Sequence, residues 1–270
     1  MSRKKELFSA GAGTIIGMVH CLPLPGTAGY GGSMEQILER ARKDAVTLEK
    51  AGMDAVIVEN MGDSPFAAKL DTEQVCALTA AAMEVKRAVS IPVGIDAAFN
   101  DYRAALSIAA VAGGAFIRVP VFVDTVVFSD GVISPCARAC MEFRRQLGVE
   151  QIQILADIQV KHAFMLVSGI TPEQSAKMAA DCGADAILVT GTQTGEETPL
   201  ELVQRVKSVV SLPVLTASGF NAKNAAMQLA WADGAVVGSG LKENGQLSNP
   251  ISYKLAVELM KKVKERSGEL

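Results

Sequence analysis

AGMDAVIV (Ala51 to Val58) and CGADAILV (Cys182 to Val189) are nearly the same phrase written twice. VSIPV (Val89 to Val93) pairs with VSLPV (Val210 to Val214) in the same way, and Gly114-Ala115 then matches Gly234-Ala235. The first phrase is a helix-to-strand passage, with a glycine at the helix end, an aspartate in the turn, and an apolar run short enough for a strand covered on both faces. Working outward, these pairs set a second, third and fourth strand against a sixth, seventh and eighth. A displacement of four strand-helix units each time is what two similar half-barrels produce, and an open doubly wound sheet gives no reason for it.

The rest of the chain fills in around that frame. The strand candidates are Thr14 to Val19, Asp54 to Glu59, Pro92 to Asp96, Ala115 to Val119, Gln151 to Asp157, Asp185 to Thr190, Pro213 to Ala217 and Gly234 to Gly238. Amphipathic runs separate them: Ser33 to Ala51, Thr72 to Val89, Asp101 to Ala112, Ser134 to Leu147, Thr171 to Cys182, Pro199 to Val210, Asn221 to Ala230 and Pro250 to Arg266. Ser33 with Gln36, and Thr171 with Pro172 and Gln174, supply capping groups or a first-turn proline where helices need them. With no Ser/Gly linker, the reading is α/β, one (β/α)8 TIM barrel domain over 1–270, close to the roughly 250 residues such a barrel takes.

Composition narrows the function. The chain is 49% hydrophobic and 20% charged, with a net charge of −3. It therefore offers no electrostatic attraction to nucleic acid, which is not expected as a partner. No apolar stretch approaches the ~20 residues of an integral membrane segment. Arg3, Lys4 and Lys5 imitate the start of a signal peptide, but Gly11, Gly13 and Gly17 break the apolar run behind them. Cys21, Cys76, Cys136, Cys140 and Cys182 form no CxxC and no even-numbered framework, so the expected compartment is the cytoplasm. Cys136 and Cys140, with only two histidines in the chain, read as packing residues, and no metal site is expected.

In such a barrel the chemistry sits where strands end. Here those ends are polar: His20, Glu59 and Asn60, Asp96, Arg118, Asp157 and Thr190. Strand alternation puts Ile57 with Glu59, Gly94 with Asp96, Phe116 with Arg118 and Leu155 with Asp157 on common faces. An inward setting gathers them into one charged crown. The bland alternative is an ion-pair network in which Arg118 bridges Asp96 and Asp157 merely to close the barrel mouth. Isolated charges are costly to bury, so pairing or a substrate has to compensate.

The last two strands end in TASGFN (Thr216 to Asn221) and VGSGLK (Val237 to Lys242). Small residues admit a phosphate to backbone N–H groups, and barrel phosphate sites lie at these loops, so Ser218, Gly219, Gly238, Ser239 and Gly240 are the expected anion contacts. Asn60 and Thr190 are expected to support ligand binding. The competing account is that the glycines simply make tight turns. LPLPGTAGYGG (Leu22 to Gly32) suggests an ordered, hinged cover with Tyr30 over the ligand, or else an Ω-loop packed on the rim. Val121, Phe122, Val126, Val127 and Phe128 would be costly on a monomer surface and point to a subunit contact in a homo-oligomer, or to a lid.

The chemistry that fits is Asp/Glu acid-base catalysis on a small phosphorylated ligand, with Asp96 and Asp157 as the pair, His20 a third member, and Glu59 and Arg118 beside them. No strand ends in lysine, which argues against an imine mechanism; Lys161 and His162 stand just past the fifth strand, where a solvated lysine is as reasonable as a substrate contact. No cofactor is expected, although a Mg²⁺ held by Glu59, Asp96 or Asp157 stays open.

IGMVHCLPLPGTAGYGG (Ile16 to Gly32) and ERARKDAVTLEKAGMDAVIVENMGDSPF (Glu39 to Phe66) resemble the BtpA/SgcQ family of TIM-barrel proteins. The resemblance continues through ASGFNAKNA (Ala217 to Ala225) and VVGSGLKENG (Val236 to Gly245). It implies a barrel distantly similar to ribulose-phosphate-binding barrels. One branch is tied to photosystem I biogenesis and the SgcQ branch to carbohydrate metabolism. Two functions follow: a lyase, isomerase or glycosidase of phosphorylated sugars or glycosides, or a non-catalytic assembly factor for a membrane complex. No catalytic residue is carried over, because the family offers no motif with an assigned role.

Overall fold

The computed structural model describes residues 7–9 and 11–267; Arg3, Lys4 and Lys5 lie outside the described residues. Eight parallel strands close a barrel: β1 (Thr14–His20), β2 (Ala55–Glu59), β3 (Val93–Asp96), β4 (Phe116–Val119), β7 (Gln153–Ile158), β9 (Ala186–Val189), β10 (Val214–Thr216) and β11 (Gly234–Val237). Strand β1 pairs with both β2 and β11, so the sheet has no free edge. The helices are α1 (Met34–Ala51), α2 (Thr72–Ala88), α3 (Tyr102–Ala112), α4 (Ala137–Gln146), α5 (Pro172–Asp181), α6 (Leu200–Lys207), α7 (Ala225–Leu229) and α8 (Tyr253–Ser267). Three short strands, β5 (Val126–Phe128), β6 (Gly131–Ile133) and β8 (Phe164–Met165), form a separate antiparallel sheet in order β6-β5-β8.

Strand alternation splits the core in two. Ile16, Met18, Ile57, Phe116, Leu155, Leu188 and Val236 fill the barrel. Ile15, Val19, Val56, Val58, Ile95 and Ile117 face outward and pack with helical residues such as Leu48, Leu78 and Ala109. Phe8 closes the amino-terminal end with its ring edge-on to Phe116 at 5.2 Å. Gly94 has to be glycine, since a β-carbon there would lie 2.2 Å from the Phe116 ring.

The repeated phrase has a mechanical meaning. Asp54 accepts from Ile15 N at 2.8 Å, Asp185 from Ile154 N at 2.7 Å and Asp233 from Val214 N at 2.9 Å. Each aspartate, standing just before its own strand, clamps the preceding strand at the amino-terminal face. Gly52 and Gly183 precede Asp54 and Asp185 at φ +96° and +92°, where a side chain would be strained. Helix starts follow the capping logic: Ser33 accepts from Gln36 N, and Thr171 and Gln174 form a capping box.

Two expectations need correction. The helix expected from Asn221 begins at Ala225 and is five residues long, because Asn221 and Asn224 first tie the chain back to the Gly219 carbonyl. The apolar segment after β4 is used within the chain: Val121, Phe122 and Val126 are buried, and β5 and β6 form a hairpin. The motive for a subunit contact therefore falls away for these three side chains. Among the described residues no helix is long and apolar enough to cross a membrane.

Candidate active site

A cavity of about 330 Å³ opens at the carboxyl-terminal ends of the strands. Met18 and Val236 of the barrel interior form part of its lining. His20, Glu59, Asp96 and Arg118 line it together with Ser218, Gly219, Gly238, Ser239 and Gly240. The inward face of each strand carries these charges one step beyond its last apolar residue: Met18 then His20, Ile57 then Glu59, Phe116 then Arg118.

Arg118 organises the charges. Its Nε and Nη2 donate to the two oxygens of Asp157 at 2.8 and 2.9 Å, and Nη1 lies 3.6 Å from Asp96 Oδ2. Burial opposes the guanidinium charge, but Asp157, Asp96 and Glu59 outweigh it and hold its pKa above the ordinary arginine value. Asp157 is fully buried with both oxygens engaged, and it stands behind Arg118 rather than in the cavity wall. His20 Nε2 sits 3.3 Å from Glu59 Oε2. Burial works against ionisation of Glu59, yet His20, Arg118 and Lys161 together hold its pKa below the ordinary glutamate value. Asp96 goes the other way: burial first, then the charge of Glu59, push its carboxyl well above the usual range. His20 Nδ1 and Asp96 Oδ1 are buried with no hydrogen-bond partner among the described residues.

The glycine loops are tied to these charges. A β-carbon on Gly238 would lie 2.9 Å from His20 Cε1, so the imidazole rests on the loop after β11. One on Gly219 would meet the backbone of Glu196 and Glu197, and one on Gly240 the Phe220 carbonyl at 2.4 Å. Tight packing therefore accounts for these glycines without any ligand. The amides of Gly219, Ser239 and Gly240 nevertheless donate to no acceptor among the described residues, while Ser218 Oγ donates to the Gln193 carbonyl at 2.9 Å. Thr194 and Gly195, from the loop after β9, complete this side.

Asn60 and Thr190 are not in the cavity wall. The Asn60 amide group bonds Asp63 and both backbone groups of Ala98, joining the loops after β2 and β3, and Thr190 Oγ1 accepts from Lys161 N. Tyr30 packs partly buried against the outer core, not over the cavity, and its loop is pinned where Asp63 accepts from Leu24 N at 2.8 Å. The cover comes instead from Phe99 and Phe128, stacked 4.0 Å apart at the rim. Among the described residues no three His, Cys, Asp or Glu side chains converge as metal ligands.

Lys161, which the sequence left open between a substrate contact and a solvated lysine, faces the cavity. It lies in the cavity wall and its Nζ donates to the Ala217 carbonyl at 3.0 Å. Burial and Arg118 lower its pKa to about 8 against the pull of Asp157, Glu59 and Asp96. The chain leaves strand geometry after β7, with φ +43° at Gln159 and +67° at His162, so alternation no longer says where a side chain points. Of the two settings left open for Lys161, the cavity is the one it takes, so the absence of a lysine at a strand end no longer argues against an imine. His162 also lines the cavity, with Nε2 2.7 Å from Thr194 Oγ1.

The model of the BtpA family matches residues 12–265. An uncharacterized protein of Pyrococcus furiosus is 44% identical over 92% of this chain and 93% of its own. The photosystem I biogenesis protein BtpA of Synechocystis is 35% identical over 91% of this chain and 87% of its own. Among solved structures, the chain is similar in fold to (S)-3-O-geranylgeranylglyceryl phosphate synthase from Thermoplasma acidophilum in complex with sn-glycerol-1-phosphate. That match has a TM-score of 0.61 and 17% identity, covering 94% of each chain.

Proposed function

The chain belongs to the BtpA family, and on that premise we propose that it is an enzyme acting on a phosphorylated sugar or glycoside. One observation carries the reading: a cavity with two titratable carboxyls on one wall and uncommitted backbone amides on another. The loops after β10 and β11 hold the phosphate through Gly219, Ser239 and Gly240. Glu59, held toward the ionised form by His20, Arg118 and Lys161, takes a proton from the sugar, and Asp96, held toward the protonated form by burial and Glu59, gives one. Arg118 stabilises negative charge that develops between them, and Asp157 fixes Arg118 in place. The structural neighbour in complex with sn-glycerol-1-phosphate supports a phosphorylated ligand for a barrel of this fold.

Thermal unfolding against a panel of sugar phosphates, with inorganic phosphate included, tests the reading. A ligand at a hundred times its Kd stabilises by about 2.7 kcal/mol, well within detection. Ser239→Asp places a negative charge on the phosphate wall and is expected to remove the shift while leaving the unliganded melting curve in place. Absence of any shift in the parent protein overturns the reading. The alternative, a non-catalytic assembly factor, draws on the name of the Synechocystis relative and on one feature of the surface. Val132, Val127 and Phe164 form an exposed apolar row across the small sheet. A protein of that kind responds to none of the phosphates.

A further inference from the structure

We propose that Lys161 forms an imine with an aldehyde or ketone carbon of the substrate, so that the ligand is a phosphorylated sugar reacting in its open-chain carbonyl form; this rests on the phosphosugar reading above.

The setting of Lys161 is built, not incidental. Its amine hydrogen-bonds the carbonyl of Ala217, which directly precedes the proposed phosphate loop, and the carboxylates stand close enough to act on its charge. A ligand anchored by phosphate at Gly219 and extending toward Glu59 and Asp96 therefore passes the amine. The backbone that delivers it is held from beneath. Asp124, buried, accepts from Gln159 N at 2.7 Å and from the buried Ser175 hydroxyl at 2.7 Å. Gln159 Nε2 donates to the Ile170 carbonyl at 2.9 Å, and Thr190 Oγ1 takes the amide of Lys161 itself. Left-handed geometry at Gln159 and His162 costs on the order of 1 kcal/mol or more at each non-glycine residue. Together these features turn toward the cavity a side chain that solvent would otherwise receive.

Lys161 is also uncommitted. Among the described residues its amine stands in no ion pair, and its one side-chain hydrogen bond goes to the neutral carbonyl of Ala217. Lys207, by contrast, stands against Asp233 at 2.7 Å, and the buried Lys242, whose pKa is also lowered to about 8, spends its amine on two carbonyls, those of Leu247 and Asn249, outside the cavity wall. Desolvation and the Arg118 charge favour the neutral amine, the only form that attacks a carbonyl. Burial and the Glu59 charge favour the protonated form of Asp96, the form that the following step consumes.

The step balances without a redox partner. The Lys161 nitrogen lone pair forms a C–N bond to the carbonyl carbon, and the carbonyl oxygen becomes the hydroxyl of a carbinolamine by taking the proton released from nitrogen. Asp96 then protonates that hydroxyl, the C–O bond breaks, water leaves, and an iminium remains beside the Asp96 carboxylate. The iminium withdraws electrons from the adjacent carbon, where Glu59 can take a proton or a C–C bond can break.

The test is borohydride reduction of the full-length protein with dihydroxyacetone phosphate or ribulose 5-phosphate, followed by peptide mapping by mass spectrometry. The expected result is a reduced secondary-amine adduct on Lys161, suppressed by excess inorganic phosphate, whose formation rate rises with pH and is half-maximal near pH 8. Lys161→Arg keeps the charge and is expected to keep the thermal shift but lose the adduct. Should that variant not fold, the phosphate competition in the parent protein still separates site labelling from general lysine modification. A probe that raises the melting temperature yet leaves Lys161 unlabelled overturns the imine and spares the phosphosugar reading, with Lys161 then an electrostatic contact. A panel in which no probe raises the melting temperature overturns both.

Discussion

At neutral pH an ionised Asp96 would stand with Glu59 and the Arg118-bound Asp157, three carboxylates against Arg118 and Lys161. Burial and Glu59 resolve this by keeping Asp96 protonated to higher pH than an ordinary aspartate. A carboxyl whose folded pKa is raised contributes stability that is present below the unfolded value of about 3.9 and lost as pH rises through the folded value. Asp96→Asn escapes that loss, so it is expected to melt about 2–4 °C higher at neutral pH, the shift that ~1 kcal/mol produces in a chain of this size. The gain vanishes below pH ~4. Turnover is expected to fall by roughly 10²- to 10⁴-fold in the same protein, which melting curves and assays at matched pH check together. Asp157→Asn behaves oppositely. It strips a buried guanidinium of its bidentate partner, and denaturant unfolding is expected to show a loss of about 3–5 kcal/mol. The five strand-end charges were legible because alternation holds to the last residue of a strand. Lys161 stayed open between substrate contact and solvent, because the chain around it, left-handed at Gln159 and His162, lies beyond any periodic signal.

Secondary elements divide the labour between fixing the cavity and covering it. Its floor is barrel strand, and its cover is the β5–β6 hairpin with the loop after β3, meeting where Phe128 stacks on Phe99. That hairpin sits on a small core of its own with Val121, Val126, Ile133 and Val160. A stacked aromatic pair contributes about 0.5–1.5 kcal/mol beyond its buried area. Phe128→Ala is therefore expected to weaken ligand affinity by roughly threefold to tenfold through a faster off-rate, measured by stopped-flow dissociation, while the barrel melts as before. An unchanged off-rate would mean that the aromatic cover does not close on the ligand. From sequence alone, Gly and Pro richness drew attention to the first loop as a cover, while the apolar segment after β4, Phe128 included, read as a subunit contact or a lid. Density of turn residues reports how sharply a chain bends, whereas covering the cavity depends on which loop carries large side chains over the opening. The antiparallel sheet itself was hidden because its strands are two or three residues long, below the length at which alternation can be read.

Over the whole barrel the two faces carry separable duties, and the repeated sequence phrase marks one of them. Asp54 and Asp185 clamp β1 and β7 at the amino-terminal face, opposite the cavity, and belong to strands four units apart around the closed sheet. This is why the half-repeat was readable: the same hydrogen bond is needed at each of these turns, so the same short phrase recurs. Removing either carboxylate leaves a strand N–H without its acceptor, at a cost of about 1–3 kcal/mol. Asp54→Ala and Asp185→Ala are each expected to lower the denaturation midpoint, and because the two clamps hold different strands, β1 and β7, the double variant should lose close to the sum of the single losses. The shift in melting temperature on adding a phosphate ligand is expected to survive in all three proteins, since no group of the cavity is touched. A clamp variant that kept its stability but lost the ligand shift would show that the two faces are coupled. The strand ends would then have to be treated as one mechanical unit with the turns beneath them.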